Sequence, residues 1–262
     1  MFSLSYPLYG VFLCKGGVFM SYHYSLSHVD FQNTTSKQDL INLLNQHDSN
    51  SFKYSLSTAQ LNVAIGRELG LPKEMLYLLF QCGIFHDIGK IGMSQEFINY
   101  PHSYTMEMYL EMKKHTAGGG TLLEKINAEK ELIETAKYHH CNFDGTGYPG
   151  GYYYDEIPLH ARITRISDSI DAYMSKRCYK EGGPSYAVID DLNQYKGSSY
   201  DPDLLEIFSH IHKRIMKESH KLGMDRPSQN IYMSLLNEHY GTAEMERFID
   251  THLDASYKKN LF

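Results

Sequence analysis

Leu76-Tyr77-Leu78-Leu79-Phe80-Gln81-Cys82-Gly83-Ile84-Phe85-His86-Asp87 sets Leu76, Leu79, Phe80, Gly83 and Ile84 at the 3.6-residue spacing of one helix face and runs that face straight into His86-Asp87. An apolar stripe ending on a His-Asp pair is the pattern from which the rest of the chain is read. Upstream, Leu61, Ala64, Ile65 and Leu69 mark a helix that stops at Gly70, with Pro72 separating it from the next. Downstream, the spacing predicts a helix over Tyr104 to His115, and another with Leu132, Ile133 and Ala136 leading into His139-His140. Each of these three later helices is expected to end on histidine. Residues 142 to 157 hold Gly145, Gly147, Pro149, Gly150 and Gly151, which is loop chemistry. Pro158 opens a helix with Ile163, Ile166, Ile170 and Tyr173 on one side. Asp201-Pro202 is an N-cap followed by proline at the first helical position, ahead of Leu204, Leu205, Phe208 and Ile211. Beyond Gly223 two more helices are expected, divided near Gly241. No stretch alternates with period two, so the class is all-α.

The composition fits a folded globular chain: 42% hydrophobic and 21% charged residues over 262 positions exclude wholesale disorder. With 25 basic against 31 acidic residues the net charge is −6, so there is no cationic field for polymeric nucleic acid. Cys14, Cys82, Cys141 and Cys178 are far apart and form no CxxC pair, which reads as free thiols in a reducing, cytoplasmic setting. No apolar run reaches the ~20 residues of a membrane span, and the first twenty residues lack a signal-peptide pattern. Residues 1–38 show no sustained periodicity and are read as a poorly defined N-terminal extension, residues 39–222 as the principal domain, and residues 223–262 as a C-terminal helical extension.

Fourteen histidines stand out, and their arrangement matters more than their number. His86-Asp87, His115, His139-His140 and Asp168 supply four imidazoles and two carboxylates from different helices, a donor set suited to divalent ions inside a bundle. Taken singly, each is an ordinary surface or core residue; the two tandem pairs are what change that. Together with Gly119, with Asp144-Gly145-Thr146-Gly147-Tyr148-Pro149, with Ala161-Arg162-Ile163, with Asp171-Ala172 and with Arg177 through Tyr179-Lys180, the string His86-Asp87-Ile88-Gly89-Lys90 resembles the HD-GYP family, a branch of the HD-domain metal-dependent phosphohydrolases. The resemblance runs in order from about residue 54 to about residue 210 and implies an HD-domain helical bundle with extra C-terminal helices. It also implies two divalent ions, iron or manganese, held by His86, Asp87, His115, His139, His140 and Asp168, with Asp87 bridging. The implied reaction is hydrolysis of a cyclic dinucleotide, cyclic di-GMP foremost, by a metal-bound hydroxide, with Asp87 and Lys90 catalytic and Lys90, Arg177 and Lys180 meeting substrate. Gly147-Tyr148-Pro149 is read as loop architecture, and the family resemblance suggests a signalling-protein contact through that loop and a homodimer.

The chain departs from the family at three places. A gapless alignment through Arg67-Glu68-Leu69-Gly70 puts Tyr54 where a histidine ligand is usual, either as a spacer or as a phenolate ligand; a neutral phenol is a poor donor. His47, about two helical turns upstream, is too far to replace it. Asn50 takes the place of a glutamate used by three-metal members, and Cys141 that of a glutamate after the paired histidines. A second reading follows from Tyr54: a catalytically weakened HD-GYP-like module that binds a cyclic dinucleotide or a signalling protein.

Overall fold

A computed structural model describes residues 23–27, 29–30 and 32–252. In chain order the α-helices are α1 (Lys37–His47), α2 (Ser49–Glu68), α3 (Lys73–Phe85), α4 (Gln95–Ile98), α5 (Met106–Lys125), α6 (Lys130–Tyr138), α7 (Leu159–Met174), α8 (Val188–Asn193), α9 (Pro202–Lys221), α10 (Gln229–Tyr240) and α11 (Ala243–His252), and a 3-10 turn spans Ile88–Gly92. Among the described residues there is no β-strand. Side chains close the ends that the sequence marks. Asp201 accepts from the backbone of Asp203 and Leu204, and Gly70, at φ +72°, terminates α2.

Helix α2 is the spine, and it is buried on nearly every side. Phe52, Leu56, Ala59 and Val63 join Leu40, Leu44, Phe80, Phe85, Leu132 and Phe248 in one apolar cluster. Leu61, Ala64 and Ile65 join Ile163, Ile166, Ile170, Leu204, Phe208, Ile211 and Tyr232 in a second. Between the two, buried Asn62 donates through Nδ2 to the Leu79 carbonyl (3.1 Å) and to Thr164 Oγ1 (2.9 Å), which ties the spine to both α3 and α7. At Gly83, a β-carbon would lie 2.3 Å from Ala59 Cα, which shows how closely α3 rides on α2.

Three expectations are corrected. His115 does not end its helix: α5 continues to Lys125 through Gly118-Gly119-Gly120. Glycine costs about 1 kcal/mol relative to alanine in a helix interior, but these glycines are contact points. Gly119 lies against the backbone of Gly89 in the 3-10 turn, and Gly118 lies under the ring of Tyr24. The segment before residue 39 is therefore not wholly without structure. Tyr24 N–H donates to Glu111 Oε2 (2.9 Å), Ser25 N–H donates to the Gly92 carbonyl (2.8 Å), and the Tyr24 ring sits between Gly92 and Gly118. Residues 1–22, including Cys14, lie outside the described residues. His47, finally, is not on the helix of Tyr54. It closes α1, Asp48 caps α2, and His47 Nε2 meets the Met93 carbonyl at 2.6 Å.

Candidate metal centre

Asp87 follows the C-terminus of α3 at the N-cap of the 3-10 turn, and its two carboxylate oxygens face different neighbours. Oδ1 lies 3.3 Å from His115 Nε2 and 3.8 Å from His139 Nε2. Oδ2 lies 3.3 Å from His86 Nε2 and accepts a hydrogen bond from Lys90 Nζ. His86 Nε2 is in turn 3.7 Å from Asp168 Oδ1 on α7. One carboxylate thus divides the donors into two groups.

The first group is Asp87, His115, His139 and His140, whose donor atoms all lie within 4.8 Å of one another. On a continuing helix, adjacent side chains diverge by about 100°. Because α6 stops at Tyr138 and His139 is its C-cap, the paired histidines converge instead, with ring centroids 4.2 Å apart. The loop after them holds the second ring in place. Tyr148 stacks on His140 at 4.6 Å, Tyr148 N–H donates to the His140 carbonyl (3.0 Å), and Gly147 at φ +87° passes so near that carbonyl that a β-carbon would fall 2.4 Å from it. Buried Cys141 fills space here and donates through Sγ to the Pro149 carbonyl at 2.9 Å.

Backbone carbonyls aim the imidazoles. His86 Nδ1 meets Gly83 O (2.8 Å), His115 Nδ1 meets Met112 O (2.6 Å), and His139 Nδ1 meets Thr135 O (3.0 Å). A carbonyl only accepts, so each Nδ1 carries the proton and each Nε2 points its lone pair inward, the outer-shell device of metal-bound histidine. Burial lowers the pKa of His115, His139 and His140, taking His139 down to about 3, so these imidazoles are neutral donors. Burial opposes charge on His86 as well, but Asp87 and Asp168 outweigh it and lift His86 to about 10, so a metal at His86 Nε2 would take the place of a proton held between these two carboxylates. Asp87 resists burial because Lys90 and His86 hold it well below the usual carboxylate range. The residues fit a metal on their own terms: His86 Nε2 is buried without a hydrogen-bond partner, flanked by two carboxylates, and an imidazole-carboxylate donor set suits first-row divalent ions.

Arg177 and Lys180 close a tight turn just after α7, each donating its backbone N–H to the other's carbonyl (2.9 and 3.2 Å). Lys180 Nζ donates to the Ala172 carbonyl, and Arg177 Nη2 stands 3.7 Å from Asp171 Oδ2. Tyr54 Oη donates to the Lys176 carbonyl at 3.0 Å, and the Tyr54 ring lies 4.9 Å from the Arg177 guanidinium carbon. Sequence reasoning assigned no role to Asp171, which is buried with its pKa raised to about 6 by burial against the pull of Arg177. Its spacing of three residues from Asp168 on one helix was the available clue. Tyr148 was likewise read as loop architecture alone, with no contact to a donor.

A family model described as HD domain matches residues 38–204. The chain belongs to the HD domain family. Its motif string places it in the HD-GYP branch. This HD-domain chain is 30% identical over 180 residues to a cyclic di-GMP phosphodiesterase of Thermotoga maritima, covering 68% of this chain and 49% of that protein. It is 27% identical over 180 residues to a 3'3'-cGAMP-specific phosphodiesterase of Vibrio cholerae, covering 66% of this chain and 34% of that protein. It therefore spans half or less of the length of these curated relatives. Among solved structures, an HD-GYP-type protein of Bdellovibrio bacteriovorus shares the fold with a TM-score of 0.54 at 18% identity, over 70% of this chain and 59% of that one. Among the described residues no helix is long and apolar enough to cross a membrane.

Proposed function

We propose that this chain is a metal-dependent phosphodiesterase that hydrolyses a cyclic dinucleotide, cyclic di-GMP foremost, with two divalent ions of iron or manganese type. The observation that carries the reading is the division of Asp87: Oδ1 toward His115 and His139, Oδ2 toward His86 and Lys90. Asp87, His115, His139 and His140 would hold one ion, and His86, Asp87 and Asp168 the other. Bound there, such ions supply Lewis acidity that makes hydroxide available near neutral pH and offsets charge on phosphoryl oxygens.

The remaining work falls to the chain. Neutral His115, His139 and His140 donate lone pairs without first losing a proton. Lys90, partly buried beside Asp87, keeps its charge because that carboxylate outweighs the cost of burial, and it offers a point charge to a phosphate. Arg177 offers a planar fork to a phosphate or a guanine edge. No covalent enzyme intermediate is required. Exposed Tyr153 and Tyr154 on the loop after the paired histidines support a protein contact on that face.

One observation favours the weakened, binding-only reading. The hydroxyl of Tyr54 is committed to the Lys176 carbonyl, so the group of His86, Asp87 and Asp168 gains no donor from it. Anaerobic purification, metal analysis and turnover of cyclic di-GMP and 3'3'-cGAMP decide between them. Two metals per chain with hydrolysis supports the enzyme; one or none with binding but no hydrolysis supports the module.

A further inference from the structure

Tyr54 and the turn after α7 are 122 residues apart in sequence, yet they meet twice. The phenol hydroxyl takes the Lys176 carbonyl, and the ring face takes the guanidinium of the next residue. From another direction Asp171 faces the same guanidinium, while Ser175 Oγ (3.0 Å) and Gln229 Nε2 (3.2 Å) donate to its other oxygen and hold the carboxylate still. The Arg177 side chain is 19% exposed, and its charge acts on both Lys90 and Asp168. A long side chain is thus fixed by an aromatic face, a carboxylate and a pinned backbone at the edge of the metal centre. Ordering it in advance removes an entropic cost that binding would otherwise bear.

We propose that Tyr54 is a positioning residue for substrate recognition: it fastens the Lys176–Lys180 turn and presents the Arg177 guanidinium to the phosphate or guanine of the substrate, and it is not a metal ligand. The inference rests on the cyclic-dinucleotide reading above. It gives the tyrosine a role that neither a spacer nor a phenolate ligand would have.

The test compares Tyr54→Phe, Tyr54→Leu, Arg177→Ala and the Tyr54→Leu/Arg177→Ala double variant in the full metal-loaded chain. Readouts are metal content, KM and kcat for cyclic di-GMP, and the rate of tryptic cleavage after Lys176, Arg177 and Lys180. Removing one net hydrogen bond in Tyr54→Phe should raise KM about 3- to 10-fold, and Tyr54→Leu, which also loses the ring, should raise it further. Metal content stays at the parent value and kcat stays within about twofold, since charge-bearing groups at the metal centre are untouched. Cleavage should accelerate from parent to Phe to Leu. In the Arg177→Ala background, Tyr54→Leu should add no further rise in KM. Metal loss in Tyr54→Phe, a full Leu effect without Arg177, or protection from trypsin that does not depend on Tyr54 overturns the proposal. If the parent turns over no cyclic dinucleotide while trypsin protection depends on Tyr54, the phosphodiesterase reading falls and the fastening of the turn stands. Turnover with Tyr54-independent protection has the opposite meaning.

Discussion

At the scale of single residues, Asp87 and His139 make different predictions. Asp87 serves both donor groups, so Asp87→Ala should abolish bound metal and turnover together. His139→Ala removes one donor from the four-residue group and should sharply weaken that ion. Metal per chain by mass spectrometry checks both, and wild-type content in either variant would refute the assignment. His212 makes a prediction about pH. It is buried between α9 and α10 with Nδ1 3.2 Å from the Tyr232 hydroxyl, and burial holds its pKa below the ordinary histidine range, with Asp190 pulling the other way. The unfolded chain therefore takes up this proton at a higher pH than the folded one. Its contribution to stability is present above the unfolded value of about 6.5 and is lost as the pH falls toward the folded value. His212→Phe should make the decline in Tm between pH 7 and pH 5 shallower than in the parent; an equal slope would show that other groups carry it. The six residues proposed as donors stand out in the sequence because tandem His-Asp and His-His pairs are rare chemistry at helix ends, and the fold brings them together around Asp87. The partner of Tyr54 was not, because a contact across 122 residues leaves no local periodicity.

Among elements, the contact between α2 and α3 governs where the donors stand. Gly83 lies against the Ala59 backbone, and its carbonyl also receives His86 Nδ1. Gly83→Ala must push the helices apart, at a cost of about 1–3 kcal/mol, or on the order of 2–10 °C in Tm for a chain of this size. Metal content should fall with it, because the carbonyl that aims His86 moves. Thermal denaturation with parallel metal analysis checks this, and a lost Tm with full metal content would separate packing from aiming. The helices themselves were readable from apolar spacing and from their stops and caps, Gly70 and Asp201-Pro202 among them. The length of α5 was not, since glycine propensity argues for a stop at 118 and only the approach of Gly89 and Tyr24 explains why the helix goes on. The all-round burial of α2 was equally hidden, because Leu61, Ala64, Ile65 and Leu69 mark a single face, while Ser55, Thr58 and Asn62 carry no apolar signal and are buried all the same.

Across the whole molecule, two apolar clusters share one spine, and α11 belongs to the first of them. Phe248 of α11 meets Phe80 edge-on at 5.3 Å and Tyr77 at 6.1 Å. Phe248→Ala should cost about 3–5 kcal/mol, seen as a lower Tm, while metal per folded chain below the transition stays at the parent level. Loss of metal at a temperature where the variant is still folded would show that α11 supports the centre directly. Tyr24 makes a different kind of attachment. Tyr24 enters between Gly92 and Gly118, where even one added carbon at 118 would collide with its hydroxyl at 1.5 Å. Gly92 ends the turn that holds Lys90, and Gly118 lies one helical turn past His115. Residue 24 is in effect a rivet, so a pull applied to the chain ahead of it meets the elements that carry Lys90 and His115 before it reaches Leu26 and Val29, which pack in the first apolar cluster.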